Sequence, residues 1–214
     1  SNCNNKYMNI ILATQNRGKV KEFNRIFLDY PVRLSTVFDY GIIHEPEETG
    51  VTFSENAQIK LEYYLKIIQK NKFYENSTKN LLLAEDSGIE INALNGEPGI
   101  LSARYGGEGL DSTGRNNLIL KKMKNVSPKN RKARFVCCIK IADIEMNFQY
   151  EFTGYSEGLI MDNIYGSNGF GYDPIFKPLG YNVSMGSLKP EVKDKISHRG
   201  LASKKLIKEI LNGR

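Results

Sequence analysis

The chain has 214 residues, of which 40% are hydrophobic and 25% charged, and its formal net charge is +6. This length predicts a single domain over 1–214, large enough to bury a real core. No apolar run approaches the roughly 18–20 residues that cross a bilayer, which excludes a helical membrane protein. The moderate positive charge favours an anionic partner, either nucleic acid or a polyphosphate small molecule.

The ends and the cysteines indicate the compartment. Residues 1–6 are polar, lack the apolar stretch of a signal peptide and are expected to be disordered. Cys3, Cys137 and Cys138 form neither a disulfide framework nor a zinc pattern. These features predict a cytoplasmic protein in a reducing environment, with no membrane partner.

The N-terminal half alternates short apolar runs with helical periodicity. The predicted elements are a strand at Met8–Ala13, a helix after residues 14–18, a helix that opens at Thr52, a surface loop at Asn71–Asn80 and a strand at Leu81–Ala84. The second strand is predicted to end abruptly at Glu85-Asp86-Ser87-Gly88. That would place two carboxylates at the carboxyl end of a strand, where α/β sheets place ligands.

The C-terminal half combines glycine-rich loops with a predicted hairpin. The predicted elements are a surface or cleft-lining segment at Gly96–Gly109, a helix at Asn116–Val126, strands at Ala133–Ala142 and Met146–Thr153, a loop at Gly166–Gly171 and a closing helix at Leu201–Leu211. Because crossover helices and an antiparallel hairpin are both present, we predict a three-layer α/β fold with a mixed sheet.

The connection Ala13–Lys19, between a strand and a helix, is the first candidate site. Backbone N–H groups at a helix start and the helix dipole attract anions. Thr14 and Asn16 can donate further hydrogen bonds, and Lys19 supplies a positive charge for a phosphate. The sequence is not a Walker loop, because the first glycine and the Ser/Thr after the lysine are missing. An ordinary strand–helix turn with a surface lysine explains these residues equally well.

The segment around Thr52 and Glu55 has two interpretations. The pair fits a capping box that starts a helix, which spacing alone favours. Alternatively, Glu55 binds a divalent cation near the helix start. Lys60 lies one turn beyond Asn56 and suits either a phosphate contact or a solvated position.

The sequence Glu85-Asp86-Ser87-Gly88 is the third candidate. Two adjacent carboxylates at the end of an apolar strand are costly unless a cation or hydrogen bonds compensate them. Mg²⁺ prefers such oxygen ligands, and one carboxylate can take a proton from an attacking water. The alternative is an acidic turn, for which Asp-Ser-Gly is suitable.

Two segments near the C-terminus could recognise a base. Glycines around Phe170 let the backbone approach a flat ligand, Phe170 can stack on it, and the Asp173 carboxylate can accept from a purine edge. Ser197 is a good helix N-cap and would place His198 and Arg199 in the first turn, where the helix dipole disfavours positive charge. Donation to a purine 6-oxo group would explain that placement. A glycine turn with a core aromatic and a surface histidine are the alternatives.

The order of these motifs carries a family resemblance. The motifs are A-T-Q-N-R-G-K, E-E-T-G-V-T-F-S-E-N-A, A-E-D-S-G-I, G-E-P-G-I-L-S-A-R-Y, G-F-G-Y-D-P-I-F and K-I-S-H-R, in sequence between residues 13 and 199. This chain resembles the inosine triphosphate pyrophosphatase family, the house-cleaning enzymes for non-standard purine nucleoside triphosphates. The likeness spans nearly the whole chain, and S-A-R-Y, F-G-Y-D-P and S-H-R in that order make it specific.

The resemblance implies an elongated α/β fold with a central mixed sheet, two lobes around an active-site cleft, and a homodimer. It implies Mg²⁺-dependent hydrolysis of ITP, dITP and XTP to the monophosphate and pyrophosphate, with Mn²⁺ as a substitute metal. Glu55 and Asp86 would bind the metal, and Asp86 would also activate water. The triphosphate would be held by Thr14, Gln15, Asn16, Arg17, Gly18 and Lys19, with Lys60 as a further contact. The implied substrate contacts around the base and sugar-phosphate are Ser87, Phe170, Gly171, Tyr172, Asp173, Lys193, His198 and Arg199.

Three positions depart from the family pattern. Glu85 stands where many members have aspartate, Gly186-Ser187 where Ala-Glu is frequent, and Asp194 where asparagine is usual. The last two lie in the segment expected to close on the base.

Two other functions compete with this assignment. The related septum-inhibitor class of nucleotide pyrophosphatases prefers modified pyrimidines, and the presence of F-G-Y-D-P and S-H-R disfavours it. A nucleic-acid-binding module would use the basic cluster Lys129–Arg134. That reading leaves the glycine and carboxylate loops without a role, so we expect no nucleic-acid partner.

Overall fold

The computed structural model describes residues 7–74 and 78–212. The prediction for residues 1–6, the location of Cys3 and the part of the predicted loop Asn71–Asn80 that covers residues 75–77 lie outside the described residues.

Six strands and five α-helices build the described chain, together with short 3₁₀ segments. The strands are β1 (Met8–Leu12), β2 (Val32–Thr36), β3 (Lys79–Ile91), β4 (Lys132–Asp143), β5 (Gln149–Ile160) and β6 (Phe176–Pro178). The helices are α1 (Arg17–Ile26), α2 (Phe53–Asn71), α3 (Ser112–Lys122), α4 (Pro190–Ile196) and α5 (His198–Leu206), and a π-helical turn (Ile207–Leu211) follows α5.

The strands form one sheet in the order β2-β1-β3-β4-β5-β6. Strand β1 pairs in parallel with both β2 and β3, whereas β5 and β6 are antiparallel. Parallel neighbours need crossover connections, and α1 and α2 supply them. The predicted mixed α/β sheet is therefore confirmed.

The described residues cluster into two compact units. The first contains residues 7–74, 78–86, 138–152 and 203–212, and its core includes Ile11, Leu61, Ile68 and Leu82. The second contains residues 87–137 and 153–202, and its core includes Ile89, Ile119, Phe135 and Phe176. Asp86 and Ser87 are consecutive residues of β3, so the chain passes from one unit into the other between them.

Strand β3 corrects the prediction that a short strand ends at Glu85. It begins at Lys79 and continues through Glu85-Asp86-Ser87-Gly88 to Ile91, so the carboxylates lie in the middle of a strand. Strand β1 ends at Leu12, which pairs with Leu83. Glu85 and Asp86 therefore lie just beyond the end of the parallel pairing between β1 and β3. The carboxyl ends of parallel strands are where α/β sheets bind ligands. Strand β3 continues because β4 remains its neighbour on the other side, and this pairing outweighs the turn tendency of Asp-Ser-Gly.

Several other boundaries differ from the predictions. Helix α3 starts at Ser112, before the predicted Asn116, because Asp111 caps it by accepting from the amide of Gly114 at 2.8 Å. It ends at Lys122, earlier than the predicted Val126. Strand β5 begins at Gln149, later than the predicted Met146, and residues 144–148 connect it to β4. The closing helix begins at His198, three residues earlier than predicted.

Candidate active site

The phosphate-loop candidate joins β1 to α1 in the first unit. Asn16 is the N-cap of α1, and its Oδ1 accepts from the Lys19 amide at 3.1 Å. Thr14 Oγ1 accepts from the Asn16 amide at 3.2 Å. The amides of Arg17 and Gly18 come next, at the first two helical positions, where no preceding turn supplies carbonyl acceptors. The prediction of a helix start with amides available to an anion is consistent with this geometry.

Two lysines of the first unit contact its acidic residues. Lys19 Nζ forms an ion pair with Glu85 Oε1, whose side chain is almost fully buried. Lys60 Nζ lies 2.7 Å from Glu48 Oε1 and 3.6 Å from Asp86 Oδ1. It also donates to the main-chain oxygen of Glu85 at 3.1 Å. Lys60, expected to bind phosphate, thus lies beside Asp86, which is expected to bind metal.

Asp86 lies in surroundings that disfavour its charged form. Burial raises its pKa to about 6, and the negative charges of Glu48 and Glu85 act in the same direction against Lys60 and Lys19. Its Oδ2 is buried and has no hydrogen-bond partner within the described residues. A buried carboxylate oxygen without a donor fits a cation ligand. Asp86 is therefore suited to supply one carboxylate ligand to Mg²⁺.

Around Lys60 the electrostatic effects oppose one another. Burial lowers the pKa of its ammonium group, but the charges of Asp86, Glu85 and Glu48 raise it, and the net shift is upward. Lys60 therefore stays protonated at neutral pH and keeps its positive charge beside Asp86.

Glu55 forms half of the predicted capping box, because its side chain bonds the Val51 amide instead of the Thr52 amide. Its amide donates to Thr52 Oγ1 at 3.0 Å, and its Oε2 accepts from the Val51 amide at 2.7 Å. The side chain begins α2 while remaining exposed. A metal-binding role for Glu55 stays a prediction, for which Oε1 is the available oxygen.

Sequence reasoning missed Glu48, which shares Lys60 with Asp86. The segment that carries it is attached to its surroundings by main-chain contacts. Gln15 Nε2 donates to the Ile43 carbonyl at 3.1 Å, Tyr64 Oη donates to the His44 carbonyl at 3.2 Å, and Asn56 Oδ1 accepts from the Gly50 amide at 2.8 Å. The available signal was an acidic run, Glu45-Pro46-Glu47-Glu48, directly before a helix that presents a lysine.

Within the described residues, no group of three or more His, Cys, Asp or Glu side chains is arranged to hold a metal ion. Mg²⁺ does not require such a group, because one or two carboxylates can hold it while water and substrate phosphate oxygens complete its shell. Mg²⁺ normally binds in this way.

In the second unit, Phe170 lies among buried charged residues. Asp173 Oδ2 accepts from the Phe170 amide at 3.0 Å and from Lys193 Nζ at 2.5 Å. Lys193 Nζ also lies 4.7 Å from the centre of the Phe170 ring. Asp173 and Lys193 are only 2% and 3% exposed. The Asp173 carboxylate therefore shapes the loop, and its direct contact with a purine stays a prediction.

Gly169 and Gly171 permit this loop conformation. Both have positive φ angles, 71° and 62°. A side chain at Gly169 would also overlap the Asp173 carboxylate. The next residue, Tyr172, is buried, and its hydroxyl donates to the Ser102 carbonyl at 2.5 Å. Burial raises the pKa of Tyr172 to about 12, so the hydroxyl remains a donor.

His198 and Arg199 begin α5, as predicted. Ser197 Oγ accepts from the Gly200 amide at 3.0 Å, which confirms it as the helix cap. Arg199 is 1% exposed and donates from Nη2 to Ser87 Oγ at 2.9 Å. Its guanidinium carbon lies 5.7 Å from the centre of the Phe170 ring. The second unit thus brings together Ser87, Phe170, Asp173, Lys193 and Arg199.

Two residues that sequence reasoning missed hold the start of α5. The Phe135 ring of β4 stacks on the His198 imidazole, with centroids 4.7 Å apart and planes 12° apart. Gly154 of β5 faces the same turn, and a Cβ there would lie 2.5 Å from the Ala202 nitrogen and closer still to the His198 carbonyl oxygen. Only glycine leaves room for the helix at this depth. The sequence offers little signal here, because Gly154 directly follows the predicted strand Met146–Thr153, and only the structure places it inside β5.

The departure at Gly186 has a local explanation. A Cβ at Gly186 would lie 3.0 Å from the Pro174 Cα, and one at Gly166 would overlap the Gly186 carbonyl. The two segments therefore touch through their backbones. Ser187, the other residue of this departure, has its Oγ 3.0 Å from Ser184 Oγ, so the two serines form a hydrogen-bonded pair.

Two of the four basic residues in the cluster Lys129–Arg134 make contacts within the second unit. The Arg131 guanidinium donates to the carbonyls of Met123, Val126, Ile160 and Met161. Arg134 Nε lies 2.9 Å from Glu90 Oε1, and its guanidinium covers the Tyr155 ring. Two of the cluster's cations are therefore committed to internal contacts, which weakens the nucleic-acid alternative.

None of the helices in the described ranges is both long and apolar enough to cross a membrane. Cys137 and Cys138 are both buried.

Comparison with known proteins identifies related sequences and structures. Residues 10–209 match the Ham1 family. The chain is 39% identical over 202 residues to a dITP/XTP pyrophosphatase of Listeria monocytogenes, covering 94% of each chain. It is 42% identical over 193 residues to one of Oceanobacillus iheyensis, covering 89% of this chain and 91% of the other. The Ham1 protein of Staphylococcus aureus has a similar structure, with a TM-score of 0.80 and 37% identity over 96% of this chain and 100% of that one.

Proposed function

The chain belongs to the Ham1 family, and on that premise we propose that it hydrolyses non-standard purine nucleoside triphosphates, such as ITP, dITP and XTP, to the monophosphate and pyrophosphate. The observation that carries the proposal is Asp86, a buried carboxylate beside Lys60 with one oxygen that has no hydrogen-bond partner among the described residues. The substrate class comes from the relatives of this chain that are named dITP/XTP pyrophosphatase.

The first unit would bind the triphosphate. Amide N–H groups at the start of α1 would donate hydrogen bonds to the phosphates, and Lys19 and Lys60 would supply positive charge. Both lysines contact carboxylates, so phosphate oxygens would share these lysines with Glu85 and Glu48. Mg²⁺ would be held by Asp86 and Glu48, with Glu55 as a further candidate, and when bound it neutralises phosphate charge.

Asp86 would act as the general base. A pKa of about 6 leaves its carboxylate mostly ionised at neutral pH yet basic enough to accept a proton. Asp86 takes the proton as the water oxygen bonds to the α-phosphorus. The bond from that phosphorus to the α,β-bridging oxygen breaks, and pyrophosphate leaves with the bonding electron pair.

The second unit would select the base. Phe170 supplies a flat surface for stacking, and His198 and Arg199 would donate to the 6-oxo group of hypoxanthine or xanthine. Adenine has an amino group at that position, so these residues would face a donor instead of an acceptor. Such a mismatch in a buried site is expensive, because the site cannot replace the lost hydrogen bonds with water.

Several finer features remain proposals. The Mg²⁺ requirement, the homodimer, the cytoplasmic location and the absence of a nucleic-acid partner follow from the sequence and the resemblance. The oligomeric state is checked by light scattering of the purified chain, and a single monomer mass at micromolar concentration would contradict the dimer.

The function is tested by measuring pyrophosphate release from ITP, XTP, dITP, ATP, GTP and dUTP, each with Mg²⁺ and with EDTA. We expect pyrophosphate and a monophosphate from the first three substrates, far slower turnover of ATP, and no turnover in EDTA. Release of orthophosphate, or equal rates on ATP and ITP, would contradict the proposal.

A further inference from the structure

Asn116 is a buried polar residue in the apolar stripe of α3. It is 3% exposed and shares the inward face of the helix with Ile119 and Met123, three and seven residues later. Asp111 caps the start of the helix through the Gly114 amide. The side chain of Asn116 is therefore held on a rigid, packed element.

The side chain of Asn116 reaches the loop that carries Phe170. Its Nδ2 donates to the carbonyl oxygen of Gly171 at 3.1 Å, across 55 positions of sequence. A carbonyl only accepts, so this contact fixes the orientation of the amide. Gly171 has a φ of 62° and lies between Phe170 and Tyr172, whose hydroxyl is bonded to Ser102. Asn116 thus anchors the loop on the residue directly after Phe170.

Folding stability alone does not account for an asparagine here. Asn116 Oδ1 is buried and has no hydrogen-bond partner in the described part of the chain. Burying an acceptor without a partner costs free energy, which leucine, of similar volume, would avoid. The contact with Gly171 is the one feature of this position that only a donor can provide.

We propose that Asn116 is a positioning residue for the selectivity between 6-oxopurine and 6-aminopurine nucleoside triphosphates. The inference rests on the proposed function, because it assigns the Phe170–Asp173 loop to the base. By holding the Gly171 carbonyl, Asn116 fixes the backbone that orients the Phe170 ring and presents the Phe170 amide to Asp173. Interactions that depend on the base then form without reordering the loop.

The test compares Asn116→Asp and Asn116→Leu with wild type on two substrates, ITP and ATP. Aspartate keeps the shape but cannot donate when ionised, and leucine removes both polar atoms. We expect kcat/KM for ITP to fall about tenfold in both variants, as for one lost hydrogen bond in a site. For ATP it should change by less than about twofold, because ATP gains little from the base contacts. The ITP/ATP ratio should therefore fall.

The matched control is Asn117, which is exposed on the same helix. Asn117→Asp and Asn117→Leu should leave the ratio unchanged. The Asn116→Leu variant should melt at or above the wild-type temperature, so its loss of selectivity cannot be attributed to unfolding, and it carries the test if the buried aspartate prevents folding. The midpoint of the Mg²⁺ dependence should not move in either Asn116 variant.

A parallel fall on ITP and ATP, or an unchanged ratio in Asn116→Leu, would overturn the inference while leaving the proposed function intact. Equal wild-type rates on the two substrates would instead refute the proposed purine selectivity, and with it the role of Asn116.

Discussion

The charged side chains of the candidate site differ between the two units in whether other side chains satisfy their hydrogen bonds. In the first unit, Lys60 contacts Glu48 and Asp86, and the remaining oxygen of Asp86 is buried without a partner among the described residues. In the second unit, Asp173 and Lys193 are bonded to each other, and Arg199 is bonded to Ser87. We therefore expect ligands to complete the surroundings of Asp86, whereas the loop that carries Phe170 is already held by Asp173 and Asn116. Chemistry and base selection should therefore respond to different substitutions.

The largest effect is expected for Asp86→Asn. Loss of the proposed base should lower kcat/KM about 10²–10⁴-fold on every triphosphate, because proton transfer is common to all of them. The ITP/ATP ratio should stay near its wild-type value. Steady-state pyrophosphate release checks this, with Asp29→Asn, an exposed site of the same unit, as the control. A near-normal rate would remove Asp86 from its role.

Substitution in the second unit should give the opposite pattern. Arg199→Gln removes the guanidinium that bonds Ser87 and lies near Phe170. We expect kcat/KM for ITP to fall roughly 10–100-fold, which corresponds to a lost hydrogen bond from a charged group, with a smaller change for ATP. The same two-substrate assay measures it. Equal losses on both substrates would assign Arg199 to a general structural role.

Gly154→Ala tests whether the position of α5 matters for selectivity. The added methyl group would overlap the first turn of the helix, so the backbone of His198 must move. We expect a loss of about 1–3 kcal/mol in the free energy of unfolding and a several-fold fall in the ITP/ATP ratio. Gly109→Ala is the control, because a Cβ there meets nothing within 4 Å. If the ITP/ATP ratio of kcat/KM equals that of the control, the position of α5 does not affect selectivity for the base.

The smallest effect concerns the pH dependence of stability in the metal-free protein. The folded-state pKa of Asp86, about 6, lies above its ordinary 3.8, so its protonated form favours folding. That contribution is fully present below about pH 4 and is lost by about pH 6. In EDTA it should amount to about 2–3 kcal/mol between these values. Urea unfolding of wild type and Asp86→Asn should show this pH-dependent difference, and parallel curves would contradict the burial of an ionisable carboxylate.

Local signals in the sequence predicted the elements that carry the site. Apolar runs located β1, and the break after it located the start of α1, although Asn16 was expected to contact phosphate and the structure shows that it caps the helix. The cap at Ser197 correctly placed His198 and Arg199 in the first turn of α5. These predictions succeeded because capping and periodicity depend on neighbours in sequence.

Features that depend on distant neighbours were not predictable in this way. Strand β3 continues through Asp86 because it is paired with β4, although Asp-Ser-Gly is typical of a turn. Glu48 joins the carboxylate cluster through Lys60, and Gly154 matters only because α5 lies against it. Each of these contacts joins residues that are not sequence neighbours, so periodicity and capping patterns alone do not reveal it.

We expect the first unit to carry the chemistry and the second to select the base. Competition between ITP and ATP in one reaction tests this expectation most directly. With equal concentrations of the two substrates, the initial ratio of IMP to AMP equals the ratio of their kcat/KM values. Wild type should form predominantly IMP with pyrophosphate, Asp86→Asn should form the same mixture far more slowly, and Arg199→Gln should form a mixture richer in AMP. A wild-type mixture with equal IMP and AMP, or one containing IDP and orthophosphate, would contradict the account.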